Sequence, residues 1–447
     1  LATLMLLGLT CPLSGRRAGW VAAGLFPVFV ALALLFGRAD SMRPETRLVA
    51  HEYSRFGSLA ANSWVHRWTD PFETLGMREP SGPPAAFPHH GPGEARFLAD
   101  SARLDHPPIV IVIWDAARPD RMSTYGYERD TTPNADRLAR DAILFEQAVS
   151  LASATTTAVR MMLSGCYASR YMLGTDHPPF LTKELADAGY DRFVITVTGN
   201  DHTGVSAESF RRGWDPEPGK QRFIELDYPD ETRSLRDGDK VRDVIETWRR
   251  LHGAGGLNGT FTYLHLTGSH SPWPNEDAVR DYGPTVGDRY DGELAKVDRL
   301  LGLLLDALED LEAYRDCILV LLADHGTGLE EHGRVAGFLC YEEQIRIPLL
   351  IKVPGIGPRR VAARVATIDL VPTLLDLVAP EADFRFHGRS LLTLLEGEAE
   401  SLSARPTVAF CAFWDSYTIL GPQGRWKLHH HRRRRYEALY DLLTDPG

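Results

Sequence analysis

Positive charge is not in excess in this chain of 447 residues: Lys and Arg number 49 against 60 Asp and Glu, leaving a net charge of -11 at neutral pH. Without a basic surplus to neutralise phosphates, the composition argues against nucleic acid as the main partner. Cysteine is scarce as well. The five present (Cys11, Cys166, Cys317, Cys340, Cys411) are widely spaced and form no CxxC pair, so the sequence indicates neither a disulfide framework nor a zinc knuckle. Proline and glycine, 29 and 39 residues, show no collagen-like or low-complexity excess. A chain 44% hydrophobic, 24% charged and 9% aromatic is globular in composition, and its length allows one large domain with an appendage or two to three ordinary ones. The chain starts on Leu1 rather than Met and stops inside what reads as an unfinished element, so it is expected to be a fragment missing both ends.

One long uncharged run is present. Ala18 to Gly37 is 20 residues without a charge, and at ~1.5 Å per residue it matches a hydrocarbon core of ~30 Å. It reads as a transmembrane helix kinked at Pro27, and Leu1 to Gly15 as the tail of an earlier span, with Arg16 and Arg17 in the turn between them. A second apolar stretch disfavours a signal peptide or a buried core helix. Arg38, Arg43 and Arg47 offset Arg16 and Arg17, so positive charge does not assign the cytoplasmic side. Further on, Glu79 to Glu94 is too rich in Pro and Gly for a helix or a ladder and reads as a linker, in which His89 and His90 are solvated.

From residue 107 onwards the pattern becomes α/β. Ile109 to Trp114 is a β-branched, wholly apolar run of the kind buried on both faces of a parallel sheet, and it ends at Asp115. Cys317 to Ala323 repeats the pattern and ends at Asp324-His325-Gly326. Further strands are predicted at Phe193 to Thr198, Phe261 to Leu266 and Pro348 to Val353, and a helix over Tyr290 to Leu311 with Leu294, Val297, Leu301, Leu304 and Leu308 on one face. That alternation gives a mixed or parallel sheet with helices on both sides. Ligand crevices of such sheets lie at the carboxyl ends of strands. Either aspartate alone could be a helix cap; two strand-end carboxylates, one beside a histidine, shift the balance towards a metal site.

Longer motifs carry a resemblance. WDAARPDRMSTYGYERD and TTTAVRMMLSG lie between Ile109 and Gly165, followed by HLTGSHSPW (His265 to Trp273), LLADHGTGLEEHG (Leu321 to Gly333), YEEQIRIPLLIKVPG (Tyr341 to Gly355) and the closing RWKLHHHRRRRYEALYDLLTDPG. In this order they resemble the sulfatase-like branch of the alkaline phosphatase superfamily over roughly Pro107 to Gly447. The resemblance implies an α/β mixed sheet flanked by helices with a small C-terminal hairpin subdomain. The expected organisation is residues 1–37 as transmembrane segment, 38–106 as juxtamembrane region and linker, 107–400 as catalytic domain and 401–447 as the hairpin subdomain. It places the nucleophile at Thr155, or at Thr156 or Thr157 if the alignment slips by a residue or two. Sulfatases proper need a Cys or Ser there, which becomes formylglycine; here Thr157 and Val159 also replace the Pro and Arg of their signature. TTTAVRMMLS is more similar to the threonine-nucleophile phosphoethanolamine and phosphoglycerol transferases, membrane proteins with outward-facing catalytic domains.

The same resemblance implies one divalent metal ion, zinc or manganese in preference to calcium, held by Asp115, Thr155, Asp324 and His325. Sulfatases carry two adjacent aspartates where this chain has Asp115-Ala116, and a lysine that is absent from Arg334 to Cys340. His270 and His332 match positions that hold the transferred group, protonate the leaving group or bind a second metal, and His265 is a weaker candidate. The run Lys427 to Arg435 is expected as a solvated hairpin turn and Glu330-Glu331 as a loop edge, while Arg118 and Arg170 match entrance arginines without an assigned role. The expectation is a membrane-anchored, metal-dependent phosphotransferase or phosphodiesterase acting on a lipid- or glycan-linked phosphate ester. Its rivals are a sulfuric ester hydrolase and a non-catalytic envelope scaffold.

Overall fold

The computed structural model describes residues 104–167, 180–198, 210–211, 220–228, 237–274, 279–333, 339–378, 386–402, 406–411, 416–421, 424–431 and 436–444. The expected membrane segment, the juxtamembrane stretch, the linker and Arg170 lie outside the described residues. Among the described residues no helix is long and apolar enough to cross a membrane.

In chain order the strands are β1 (Ile109–Trp114), β2 (Ile143–Val149), β3 (Arg192–Thr198), β4 (Arg222–Tyr228), β5 (Thr260–Leu266), β6 (Ile318–Leu322), β7 (Arg346–Ile347), β8 (Leu349–Lys352), β9 (Arg359–Ala366), β10 (Thr407–Phe410), β11 (Ser416–Leu420), β12 (Trp426–His431) and β13 (Tyr436–Asp441). The helices are α1 (Pro133–Ala139), α2 (Thr155–Ser164), α3 (Leu181–Asp187), α4 (Asp237–Gly253), α5 (Val286–Asp310), α6 (Glu342–Ile345), α7 (Leu370–Val378) and α8 (Leu392–Glu396). Strands β1 to β9 form one sheet in the order β4-β3-β5-β1-β6-β8-β2-β7, with β9 paired to β2. Its left half, β4 to β6, is parallel; β8 then runs antiparallel to both β6 and β2, which makes the sheet mixed.

Every residue of β1, β5 and β6 is buried, as uniform hydrophobicity between two helical layers requires. The helix expected over Tyr290 to Leu311 begins one turn earlier, where Thr285 and Asp288 form a capping box, and all five apolar residues on its face are buried. Register positions the site. Ile113 pairs with Leu322, so Asp115 and Asp324, each two residues further on, emerge level with each other at one edge of the sheet. Helix α2 starts at Thr155 and stops at Gly165, whose φ of 64° favours glycine and where a Cβ would lie 2.9 Å from Phe386.

The C-terminal region departs from expectation twice. The expected hairpin is a four-stranded antiparallel sheet, β10-β11-β12-β13. The first part of the basic run, Lys427 to His431, is not a turn but most of strand β12. Alternation sends Lys427 and His429 inward, where Lys427 Nζ meets Glu342 Oε1 at 2.9 Å and His429 Nδ1 meets Thr418 Oγ1 at 2.9 Å. Arg432 to Arg435 lie outside the described residues. Cys340 and Cys411, 71 residues apart, form a disulfide that ties the approach to α6 to the end of β10. Spacing alone could not reveal that pairing, because only the docking of the small sheet brings the two cysteines together.

Candidate active site

Asp115 and Asp324 end buried strands, and their backbone surroundings fix what their carboxylates can do. Ala116 adopts a φ of 63°, and its N–H donates to Asp324 Oδ1 at 3.2 Å, as does the His325 N–H at 2.9 Å. Asp324 Oδ2 and Asp115 Oδ1 are buried and accept no hydrogen bond. Beside them His325 has a defined tautomer: Nδ1–H donates to the Gly326 carbonyl at 2.7 Å, leaving the Nε2 lone pair towards the carboxylates. Nε2 is 3.8 Å from Asp115 Oδ1 and 3.6 Å from Asp324 Oδ2. Gly326 is required by close approach, since a Cβ there would fall 2.2 Å from the Glu343 carbonyl oxygen of α6.

Thr155 is the first residue of α2, and its Oγ1 lies 3.0 Å from His325 Nε2. The hydroxyl therefore sits at the positive end of a helix dipole, which favours negative charge developing on oxygen. One ligand atom each from Asp115, Asp324 and His325 all fall within 4.8 Å of one another. Two orphaned carboxylate oxygens, a neutral imidazole nitrogen and a hydroxyl are a chemically suitable donor set for a divalent cation, and burying them otherwise is costly. Without a cation the charges act on each other. Burial alone would raise the Asp115 pKa, but His270, His265 and His325 outweigh it and hold the carboxyl well below its usual range. Burial alone would lower His325; Asp324 and Asp115 outweigh it and raise it.

His270 adjoins this cluster: its ring centroid is 6.4 Å from that of His325, and its Nδ1–H donates to the Ser271 carbonyl. His265 Nε2 is 3.3 Å from Asp115 Oδ2. His332 is placed differently. Its ring stacks on Tyr341 at 3.9 Å, and Nε2 lies 3.8 Å from Glu343 Oε1, so its contacts are with the α6 region. Arg118 ties the loops around the site together through the Thr327 carbonyl, Glu331 and Asp120, and Glu331, expected as a loop edge, is one of its two ion-pair partners beside Asp120. Sequence reading missed Asp237 and Lys240. Their buried ion pair on the first turn of α4 grips the backbone of the segment that carries His265 and His270. The i, i+3 spacing of Asp237 and Lys240 is visible in the sequence, but their burial is not.

The sulfatase family profile matches residues 107–379, more than half of the chain. The chain belongs to the sulfatase family. A second profile, described as N-sulphoglucosamine sulphohydrolase, C-terminal, matches residues 330–447 and so takes in the four-stranded sheet. Delta 4,5-hexuronate-2-O-sulfatase of Bacteroides thetaiotaomicron is 32% identical over 163 residues, 34% of this chain and 33% of that protein. Arylsulfatase K of Gallus gallus is 35% identical over 163 residues, 34% and 30% of the two chains. YhbX of Escherichia coli K12, provisionally named a transferase, is 26% identical over 231 residues, 48% and 37% of the two. The matched segments thus span about a third of each relative. Among solved structures, that of a 2-O GAG sulfatase superposes with a TM-score of 0.62 at 19% identity over 76% of this chain and 86% of that one. The phosphonate monoester hydrolase of Agrobacterium radiobacter gives 0.58 at 18% over 76% and 90%. These likenesses establish the fold.

Proposed function

We propose that the chain is a metal-dependent enzyme that cleaves an anionic ester with Thr155 as nucleophile, and that the group it takes is a phosphoryl group from a lipid- or glycan-linked phosphate ester. The observation that carries this reading is the Thr155 Oγ1 at 3.0 Å from His325 Nε2, at a helix N-terminus and beside Asp115 and Asp324. Asp115, Asp324, His325 and Thr155 would hold the divalent cation. When bound, it would supply a lowered hydroxyl pKa and neutralise charge on the transferred group. Thr155 releases its hydroxyl proton to solvent, its Oγ1 bonds to phosphorus as the bond to the leaving oxygen breaks, and in this reading a protonated His270 donates the proton that oxygen needs. Water or an acceptor hydroxyl then attacks the phosphothreonine and regenerates Thr155. His332 serves as a second candidate for the proton donor.

Thr155 favours phosphate over sulfate for a chemical reason. Formylglycine is an aldehyde made from the CH2 of Cys or Ser; the Cβ of threonine carries a methyl group, so its oxidation would stop at a ketone. A sulfate-ester hydrolase is the second reading, and the names of the hexuronate and aryl sulfatases among the relatives favour it, with a sulfated glycan as substrate. We also place the chain at a membrane through Ala18 to Gly37, with the catalytic domain outward-facing. The Cys340 to Cys411 disulfide supports an oxidising compartment for that domain. The deciding experiment incubates purified protein with phosphodiester, phospholipid and aryl or glycan sulfate substrates, then measures intact mass and turnover. A mass increase mapped to Thr155 with phosphate donors is expected; turnover of sulfate esters alone would replace the first reading with the second, and no turnover with no bound metal would leave a scaffold.

A further inference from the structure

Asp115 is contacted on β5 by His265, the first residue of the HLTGSHSPW motif, which is itself contacted by Tyr263; the proposed mechanism uses neither. Tyr263 and His265, two apart on the strand, are 2% and 3% exposed. Tyr263 Oη lies 3.1 Å from His265 Nδ1, and His265 Nε2, buried and with no hydrogen-bond partner, lies within ion-pair distance of Asp115 Oδ2 at 3.3 Å. Because His265 Nε2 faces the Asp115 carboxylate, the proton belongs on Nε2, and the Tyr263 phenol then donates to Nδ1. An imidazole that accepts at Nδ1 carries its proton on Nε2, where it faces Asp115 Oδ2. That sets the Nε2–H beside one carboxylate oxygen and leaves Oδ1, 3.8 Å from His325 Nε2, for a cation. The backbone of the pair is clamped as well. Lys240 Nζ donates to the His265 carbonyl at 2.9 Å and to Asp237 at 3.0 Å, and Asp237 accepts the Thr267 and Gly268 N–H groups at 2.7 Å each.

We propose that Tyr263 and His265 are positioning residues for Asp115: the phenol sets the imidazole tautomer, and the Nε2–H holds Oδ2 so that Oδ1 is presented to the cation beside Asp324 and His325. This rests on the metal reading proposed above. Residues that hold a metal-binding carboxylate by its other oxygen change metal affinity about 10- to 100-fold. The test measures Zn2+ and Mn2+ dissociation constants of the purified protein by competition with a chromophoric chelator. It compares wild type with His265→Ala, His265→Gln and Tyr263→Phe, with thermal unfolding of the metal-free forms as the folding control. His265→Ala is expected to weaken binding about 10- to 100-fold. His265→Gln, whose amide N–H can reach Oδ2, is expected to recover most of that loss, and Tyr263→Phe to lose up to about tenfold. Wild-type constants in both His265→Ala and Tyr263→Phe would overturn the proposal, as would a Gln variant no better than the Ala variant. Should His265→Ala not fold, Tyr263→Phe, which removes a single oxygen, decides alone. Wild type that binds neither ion would overturn the metal reading itself, whereas wild type that binds with indifferent variants would remove only the relay.

Discussion

The nine-stranded and the four-stranded sheets both bury polar side chains, but they treat them in opposite ways. In the large sheet the parallel strands β1 and β6 are apolar throughout, and their charged groups come only where the strands stop. Asp115 Oδ1 and Asp324 Oδ2 are then left without hydrogen-bond partners, converging on a shared point. In the small sheet Lys427 and His429 are buried in mid-strand, and each is answered by a neighbour, Glu342 and Thr418. Buried polarity by itself therefore does not mark a functional site. Converging buried atoms that the protein leaves unanswered do, because leaving them so costs stability that a ligand can restore.

That contrast can be broken from either side. The largest effect is expected at Thr155: Thr155→Ala should lower turnover at least about a thousandfold while the folded protein still binds metal. Turnover by a standard assay alongside metal analysis checks this, and near-wild-type rates would remove the nucleophile assignment. Next comes Asp324→Asn, which removes a buried charge whose Oδ2 accepts no hydrogen bond, while the amide oxygen can still accept the Ala116 and His325 N–H groups. The metal-free variant should melt at or above the wild-type temperature, yet lose at least about a hundredfold in metal affinity and with it the metal-induced rise in Tm. If the same substitution destabilises the metal-free protein strongly, the carboxylate is structural instead.

Lys427→Met tests the other sheet. Removing one partner of a buried pair should destabilise the protein by about 3 kcal/mol in urea denaturation, with metal affinity unchanged. A shift in metal affinity would mean that the small sheet takes part in the site. The smallest effect is a pH dependence. Burial, with Lys427, His431 and His430 nearby, holds the His429 pKa at about 4 against an ordinary 6.5. The folded protein thus keeps this ring neutral where the unfolded chain protonates it. Stability contributed by the neutral ring is complete above about pH 6.5 and falls as pH drops towards 4. His429→Gln should flatten the Tm profile in that window, and an unchanged slope would assign the acid sensitivity to other groups.

Much of the large sheet was legible in the residues. Apolar runs marked β1, β3, β5, β6 and β8 because strands buried on both faces must be hydrophobic throughout, and the i, i+3, i+4 spacing marked α5. Asp115 and Asp324-His325 stood out because two such runs each end in a carboxylate, one of them beside a histidine, where either alone reads as a helix cap. The small sheet was less readable. A run of Lys, His and Arg resembles a solvated turn until pairing with β11 and β13 shows which of its residues point inward. His332 was grouped with the other site residues on motif order, and its contacts with Tyr341 and Glu343 were not legible from that order.

What the sequence by itself determined is the local chemistry: which strands are buried and which carboxylates end them. Those depend on composition and spacing within a few residues, whereas the threonine run as nucleophile came from the resemblance, which left Thr155, Thr156 and Thr157 open. Only the tertiary structure decided that Asp115 and Asp324 stand level, that Thr155 reaches His325, that Tyr263 and His265 back the first carboxylate, and that Cys340 meets Cys411. Each of these joins residues from different strands or helices, and such distances are set by register and packing of the whole sheet rather than by any segment's own propensity.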